Sequence, residues 1–127
     1  MKKIRIAWAV TAAVGVFLAG CSAFQTGPGA TVEKFYMLVE KGEITQATAL
    51  VSATLQAQLG GKMAAALAEQ GNKIRQKQGV KSFSATEEIT GETATVTSDV
   101  VYGNSSTERE NWKLVREDGQ WRITGSK

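Results

Sequence analysis

The single cysteine of the chain stands where a thiol could do chemistry. Cys21 is the only cysteine among 127 residues, so no disulfide can form within one chain. The small residues Ala19 and Gly20 precede it and would let a peptidase approach the backbone. A lone exposed thiol is a liability in an oxidising compartment. These residue types therefore point to a cysteine that reacts as a nucleophile and becomes modified.

The segment before Cys21 has the layout of a secretion signal. Its first five residues carry three basic side chains, and an apolar run extends from Ile6 to Leu18. That run is shorter than the roughly 20 apolar residues that a membrane-spanning helix needs. A basic region, an apolar region and small residues, in that order, predict a cleaved signal peptide over residues 1–20.

The run Leu18-Ala19-Gly20-Cys21 resembles the bacterial lipobox in sequence and in position. The resemblance implies that Cys21 receives a diacylglyceryl group, that cleavage falls between Gly20 and Cys21, and that the new amine is acylated. Two acyl chains already give stable membrane anchoring. Ser22 follows the cysteine and, by resemblance to sorted lipoproteins, favours the outer membrane facing the periplasm over the inner membrane. A structural cysteine after an ordinary signal remains the alternative.

Four downstream side chains are candidates for binding a ligand: Tyr36, Tyr102, Glu110 and Trp112. Tyr36 and Trp112 each combine an aromatic body with a polar tip that could donate a hydrogen bond. Strand alternation puts Glu110 on the face of Trp112 and Leu114. The same periodic positions fit a hydrophobic core, and for the aromatic residues the core is the favoured interpretation, with a ligand platform second.

The residues that catalysis usually needs are scarce. The chain has no histidine, which removes the side chain best suited to proton transfer near neutral pH and the most frequent metal ligand. Alternation places Asp99 opposite Val100 and Tyr102, so we expect it to be solvated. An enzyme needs two convergent ionisable groups, whereas the pattern places at most one, Glu110, inside. We therefore predict a non-catalytic protein without metal or cofactor.

Length and net charge limit the number of domains and the kinds of partner that the rest of the chain can have. Three of the 15 basic residues lie in the predicted signal, which leaves 12 basic against 12 acidic residues afterwards. A neutral domain has no electrostatic footprint for nucleic acid. Residues 21–30, which hold Gly-Pro-Gly at positions 27–29, are predicted to be a lipidated cysteine and flexible tether. Residues 31–127 suffice for one domain.

Helical periodicity occupies the first half of this domain. Apolar residues at i, i+3, i+4 and i+7 predict a helix from about Val32 to Lys41, ended by Gly42. A short second helix is predicted over Thr45 to Val51. Leucines and a methionine at four-residue steps then predict a third segment continuing toward Ile74. Gly60-Gly61 should kink this segment or divide it into two helices.

The period changes to alternation after Gly79. Four runs with apolar residues at every second position are separated by Gly91-Glu92, Gly103-Asn104 and Asp118-Gly119, which are turn signals. Four strands joined by short turns predict an antiparallel meander. Helices that precede strands, each with one apolar face, predict an α+β fold with the helices packed on one side of a curved sheet.

Three stretches resemble the nuclear transport factor 2-like superfamily: residues 31–47, the strand Thr93-Ala-Thr-Val-Thr, and the ending Glu-Asp-Gly-Gln-Trp-Arg-Ile at 117–123. The likeness is greatest to small bacterial lipoproteins with a lumazine-binding-like domain. It implies a cone-shaped, cystatin-like sheet around a cavity. Members of the superfamily include isomerases and dehydratases, binders of small molecules, and mediators of protein contacts.

These observations predict a lipid-anchored protein of the cell envelope. Its domain is expected to bind a small ligand or an envelope partner without catalysis, and its membrane contact runs through the lipid on Cys21. Two alternatives stay open. One is a cavity enzyme of isomerase or hydrolase type. The other is a homodimeric structural module that uses its open sheet face, which an exposed apolar patch on that face would favour.

Overall fold

The computed structural model describes residues 27–126. Four helices come first: α1 (Pro28–Lys41), α2 (Ile44–Thr48), α3 (Ala53–Leu59) and α4 (Lys62–Gln76). Four strands follow: β1 (Val80–Thr90), β2 (Thr93–Tyr102), β3 (Thr107–Glu117) and β4 (Gln120–Ser126). Within this range no helix has the length and apolar character to span a bilayer. The predicted signal peptide, Cys21 and most of the predicted tether lie outside the described residues.

Helix α1 carries the face that packs on the sheet. Its buried side chains include Val32, Phe35 and Val39, as their spacing predicts, and it ends at Gly42, whose φ of 81° is left-handed. It begins at Pro28, four residues before the predicted start. A proline fits the first helical turn because no N–H is needed there. Residues 28–30 are therefore helical rather than part of a flexible tether.

Helix α2 is shorter than its apolar pattern predicts. The prediction extended it to Val51, but it ends at Thr48. Val51 is instead 3% exposed and forms a parallel β-bridge with Ile123 of β4. The spacing of Ala47, Leu50 and Val51 fits a helix locally, so only the distant partner decides the conformation of Val51.

Gly60 and Gly61 separate α3 from α4, which confirms the alternative of two helices. Gly60 has a φ of 52°, a conformation that β-carbon-bearing residues rarely adopt. Close packing of α4 on α1 occurs at Gly71, where a β-carbon would overlap the carbonyl oxygen of Val39. The α4 face that packs inward holds Met63, Leu67, Gly71 and Ile74.

The sheet is a four-stranded antiparallel meander in the order β1-β2-β3-β4, as predicted. Directly paired residues share a face, so the register defines an inner face toward α1 and an outer face. The inner face of β2 is buried along its whole length: Ala94, Val96, Ser98, Val100 and Tyr102. The predicted α+β class, with helices on one side of the sheet, is confirmed.

Candidate functional site: the inner polar cluster and the α1–β1 groove

The four predicted ligand-binding residues lie on the inner side of the sheet. Tyr36, Tyr102 and Trp112 are buried, at 4%, 2% and 8% exposure, while Glu110 is half-buried. The rings of Tyr36 and Trp112 meet edge to face with centroids 5.7 Å apart, and Phe35 packs on the same indole at 5.9 Å. The structure therefore brings Tyr36 and Trp112 together as packed aromatic residues of the core.

The polar tips of this inner cluster are bonded to one another. The indole Nε1 of Trp112 donates to Oγ of Ser98 at 3.0 Å, and Ser98 is fully buried. The hydroxyl of Tyr102 donates to Oε1 of Glu108 at 2.5 Å. Buried polar groups need such partners, because an unpaired one costs about 1–3 kcal/mol.

The two phenols of the cluster are held in their neutral form. Burial, and then the negative charge of Glu108, raise the pKa of Tyr36 to about 12, against a smaller opposing effect of the Ser98 hydroxyl. Burial raises the pKa of Tyr102 as well, with its hydrogen bond to Glu108 acting in the same direction. At neutral pH both hydroxyls are therefore hydrogen-bond donors and not bases.

Glu108 is the residue of this cluster that the sequence interpretation missed. It lies two positions before Glu110 on β3, so both carboxylates project from the inner face, opposite Val100 and Ser98 of β2. The expectation of at most one ionisable group inside is therefore wrong. The strand alternation that places Glu110 on the inner face also places Glu108 there, so the sequence pattern did indicate its position. Within residues 27–126 no lysine or arginine nitrogen lies within 4.0 Å of either carboxylate.

Asp99 lies on the outer face, as its alternation predicts. Its carboxylate pairs with the guanidinium of Arg109 on β3 at 2.8 Å; the Arg109 side chain is largely exposed and that of Asp99 is half-exposed. An exposed pair of this kind contributes little to stability. Among residues 27–126 no group of three or more acidic side chains comes together as a metal ion would require.

An open groove of about 340 Å³ runs between α1 and the first residues of β1. Its lining combines apolar and aromatic with charged side chains: Tyr36, Met37, Val80 and Phe83, with Glu33, Glu40, Lys41 and Lys81. Tyr36 links the groove to the inner cluster, because its ring also packs on Phe83 with centroids 5.8 Å apart. The Met37 side chain is 47% exposed.

The two edges of the sheet differ. Along β4, Ser52 donates its N–H to the Ile123 carbonyl at 2.8 Å, and Ile123 donates to the Leu50 carbonyl at 2.8 Å. Along β1, the Val80 N–H donates to the Glu40 carboxylate at 3.2 Å, at the start of the strand. No strand or bridge within residues 27–126 pairs with the outer edge of β1. This groove therefore opens beside an unpaired strand edge.

The outer face of the sheet is polar. The residues exposed or half-exposed there are mostly hydroxyl-bearing, amide or charged: Ser84, Thr86, Glu88, Thr95, Thr97, Asp99, Arg109, Asn111 and Lys113. A dimer through the open sheet face would be favoured by an apolar patch. The part of the chain that the structure describes offers none on this face, so this form of the homodimer has no support from the surface chemistry.

The arrangement of the chain is similar to that of a solved Campylobacter jejuni protein, which carries the provisional description of an NTF2-like transpeptidase. The two share 18% identity with a TM-score of 0.66, over 78% of this chain and 98% of that chain. No family model matches the sequence, and no curated protein matches it. The domain thus has the nuclear transport factor 2-like fold that the sequence resemblance implied, and at this identity the likeness speaks to fold alone.

Proposed function

We propose that this protein is a lipid-anchored binding module of the cell envelope, without catalytic activity, that holds a polypeptide segment of a partner in the α1–β1 groove. The observation that carries the proposal is the position of the groove beside the unpaired edge of β1. An exposed strand edge presents a row of free N–H and C=O groups that another chain can pair with.

The chemistry of the groove suits a polypeptide better than a small apolar ligand. Its lining offers Met37 and Phe83 to apolar side chains, and methionine adapts to varied partners. The lining also mixes acidic and basic side chains, which favours a partner with charges of both signs. The inner cluster, by contrast, is filled by its own rings and hydrogen bonds. A small ligand would have to displace those contacts.

Three features support a non-catalytic role. A phenol is already protonated near neutral pH, and the raised pKa of Tyr36 and of Tyr102 moves both further from acting as a base. Glu108 already accepts a hydrogen bond from Tyr102. The chain offers no histidine to transfer a proton at this pH.

The lipid anchor on Cys21 would place the groove close to a membrane. Helix α1 begins at Pro28, so residues 22–27 alone separate the folded domain from the acylated cysteine. Fully extended, such a segment reaches about 20 Å. A module held this near the bilayer meets partners that are themselves in or on the envelope.

Photo-crosslinking in intact cells tests the groove. A photoreactive amino acid replaces Met37 in the full-length lipidated chain, and the matched control replaces Ala65, which is exposed on α4. We expect a discrete protein adduct from position 37 and none from position 65. Absence of an adduct at 37, or equal adducts at both positions, would contradict binding in the groove.

Membrane fractionation with labelled palmitate tests the anchor. The wild-type chain should sediment with membranes and incorporate the label, and Cys21→Ser should lose both properties. A Cys21→Ser chain that still sediments with membranes and is processed normally would show that the cysteine is not the anchor.

A further inference from the structure

Strand β1 carries complementary charges on one face. Glu87 lies opposite Val96, which is buried on the inner face, and its carboxylate accepts the Gly29 N–H of α1 at 2.8 Å. Lys81 lines the groove on the same side of the sheet, at the irregularity between Val80 and Ser82. On the strand itself, Lys81 is thus the charged residue at one end and Glu87 at the other, and Glu33 and Glu40 of α1 line the groove beside Lys81.

Antiparallel pairing of β1 with itself would match these charges. Paired residues share a face of the sheet, so two copies of β1 related by a two-fold axis pair odd-numbered residues with odd and even with even. In each register one residue therefore lies opposite its own copy, and the register is named after that residue. The register centred on Ser84 puts Lys81 opposite Glu87 of the second copy, and the reverse. Registers centred on Glu87 or Glu88 would place like charges opposite each other, which is destabilising.

The exposed apolar residues fit the same register. Met37 and Ile89, at 47% and 49% exposure, are the large hydrophobic residues left exposed in the part of the chain that the structure describes. Met37 lies by the first residues of β1 and Ile89 near its end. Antiparallel pairing brings Ile89 of the second copy to the end of the strand where Met37 lies, so each copy covers an apolar residue of the other.

We propose that the partner segment held in the groove is β1 of a second copy of this chain, paired antiparallel about a two-fold axis at Ser84. This inference rests on the proposed function and names its partner. Lysine on an edge strand ordinarily repels added strands. Here Lys81 pairs with a strand that has an acidic residue at the opposite position. A strand with a basic residue there is repelled, and this difference makes the pairing specific.

Disulfide trapping in intact cells tests the register. Cys21 is the only native cysteine and is acylated under the proposal, so an introduced cysteine is the one free thiol. Residues opposite each other across an antiparallel pair have Cα atoms about 4.5–5.5 Å apart, within the range of a disulfide. Ser84→Cys should therefore give a covalent dimer under mild oxidation.

Thr86→Cys is the matched control, because Thr86 is exposed on the same face of β1. In the proposed register its two copies lie about 13 Å apart, too far for a disulfide. It should form no covalent dimer under the same oxidation. Equal dimer yields from the two variants would mean random collision and would overturn the proposed register.

A charge variant, read out through the same thiol, tests the pairing of Lys81 with Glu87 directly. In the Ser84→Cys background, Lys81→Glu should lower the dimer yield by about tenfold, since like charges would face each other between the two paired β1 strands. Lys81→Arg keeps the charge and should retain the yield. Equal yields from both variants would contradict the pairing of Lys81 with Glu87.

The outcomes separate this inference from the proposed function. If Ser84→Cys stays monomeric while position 37 crosslinks to a different protein, the second copy is excluded and the groove remains a binding site. If Ser84→Cys stays monomeric and position 37 gives no adduct, both proposals are overturned. A dimer from Ser84→Cys, with a position-37 adduct of twice the chain's mass, supports both.

Discussion

The two edge strands of the sheet, β4 and β1, differ in whether another segment of the chain covers them. The edge at β4 is closed by the segment around Val51, which is 3% exposed and bonded through its neighbours to Ile123. The edge at β1 has no such cover within residues 27–126, and the groove with Met37 lies beside it. A covered edge contributes to the stability of the fold, whereas an open edge is available for association. The difference places stabilising backbone contacts along β4, and it leaves β1 as the edge at which we propose that association takes place.

The covered edge is reinforced by side chains as well. Ser52 is fully buried; its Oγ accepts the Leu55 N–H at 3.2 Å and donates to Thr124 at 3.1 Å. The Gln56 side-chain amide donates to the carbonyls of Thr48 and Val51 at 3.0 and 2.9 Å. Changes here should therefore act on folding, and changes along β1 should act on binding.

The largest expected effect comes from a buried charge at the covered edge. Val51→Asp should lower the free energy of unfolding by about 3–5 kcal/mol, because it buries an unpaired carboxylate beside β4. Thr86→Asp, on the exposed face of β1, should cost less than about 1 kcal/mol. Urea unfolding followed by circular dichroism measures both. Similar losses at the two edges would remove the distinction between them.

Alkaline pH should destabilise the domain through Tyr36, on the groove side. The pKa of Tyr36 is raised from 10.0 to about 12, so the folded state favours the neutral phenol. The resulting stabilisation is complete below pH 10 and is lost as the pH rises from 10 toward 12. Tyr36→Phe should remove this part of the decline, by roughly 1–3 kcal/mol. The measurement is the urea midpoint between pH 8 and 12 for both proteins; parallel curves would contradict the raised pKa.

Loss of the Ser52 hydroxyl should have an intermediate effect. Ser52→Ala removes the N-cap of α3 and the bond to Thr124, at a cost of about 1–2 kcal/mol. Ser82→Ala at the open edge is the control, since Ser82 is exposed, and should stay within about 0.5 kcal/mol. A neutral Ser52→Ala would mean that the cover of β4 is held by its backbone bonds alone.

The smallest effect on stability is expected at Met37, where a change should act on association instead. Met37→Ser alters a half-exposed side chain, so the free energy of unfolding should change by less than about 0.5 kcal/mol. Combined with Ser84→Cys, it should nevertheless lower the yield of the disulfide dimer, because the cover over Ile89 is lost. An unchanged yield would show that Met37 takes no part in the contact between the two copies.

Local patterns predict most of this fold. Alternation separated by Gly91, Gly103 and Asp118-Gly119 predicts the four strands and their order, because short turns leave a meander as the simple connection. Gly42 predicts the end of α1 for the same local reason, its left-handed φ. Elements whose conformation depends on residues nearby in the sequence can therefore be predicted from the sequence.

The rest depends on distant contacts. Val51 leaves the helical pattern because Ile123, far along the chain, offers it a β-bridge. Tyr36, Tyr102 and Trp112 are correctly predicted to face inward, yet their mutual packing depends on the register of β2 against β3. The groove is formed by α1 and β1, which meet only in the folded chain. Its lining therefore could not be predicted from periodicity, whereas Glu108 could have been, from its parity with Glu110.

Amide hydrogen exchange of the full-length lipidated protein in detergent micelles, at several protein concentrations, compares the two edges most directly. Peptides covering β4 should be protected at every concentration, because the segment around Val51 belongs to the same chain. Peptides covering β1 should exchange faster in dilute solution and gain protection as the concentration rises and second copies pair with the open edge. If β1 is as protected as β4 in the most dilute sample, its edge is already covered within one chain and is not an open, self-associating edge.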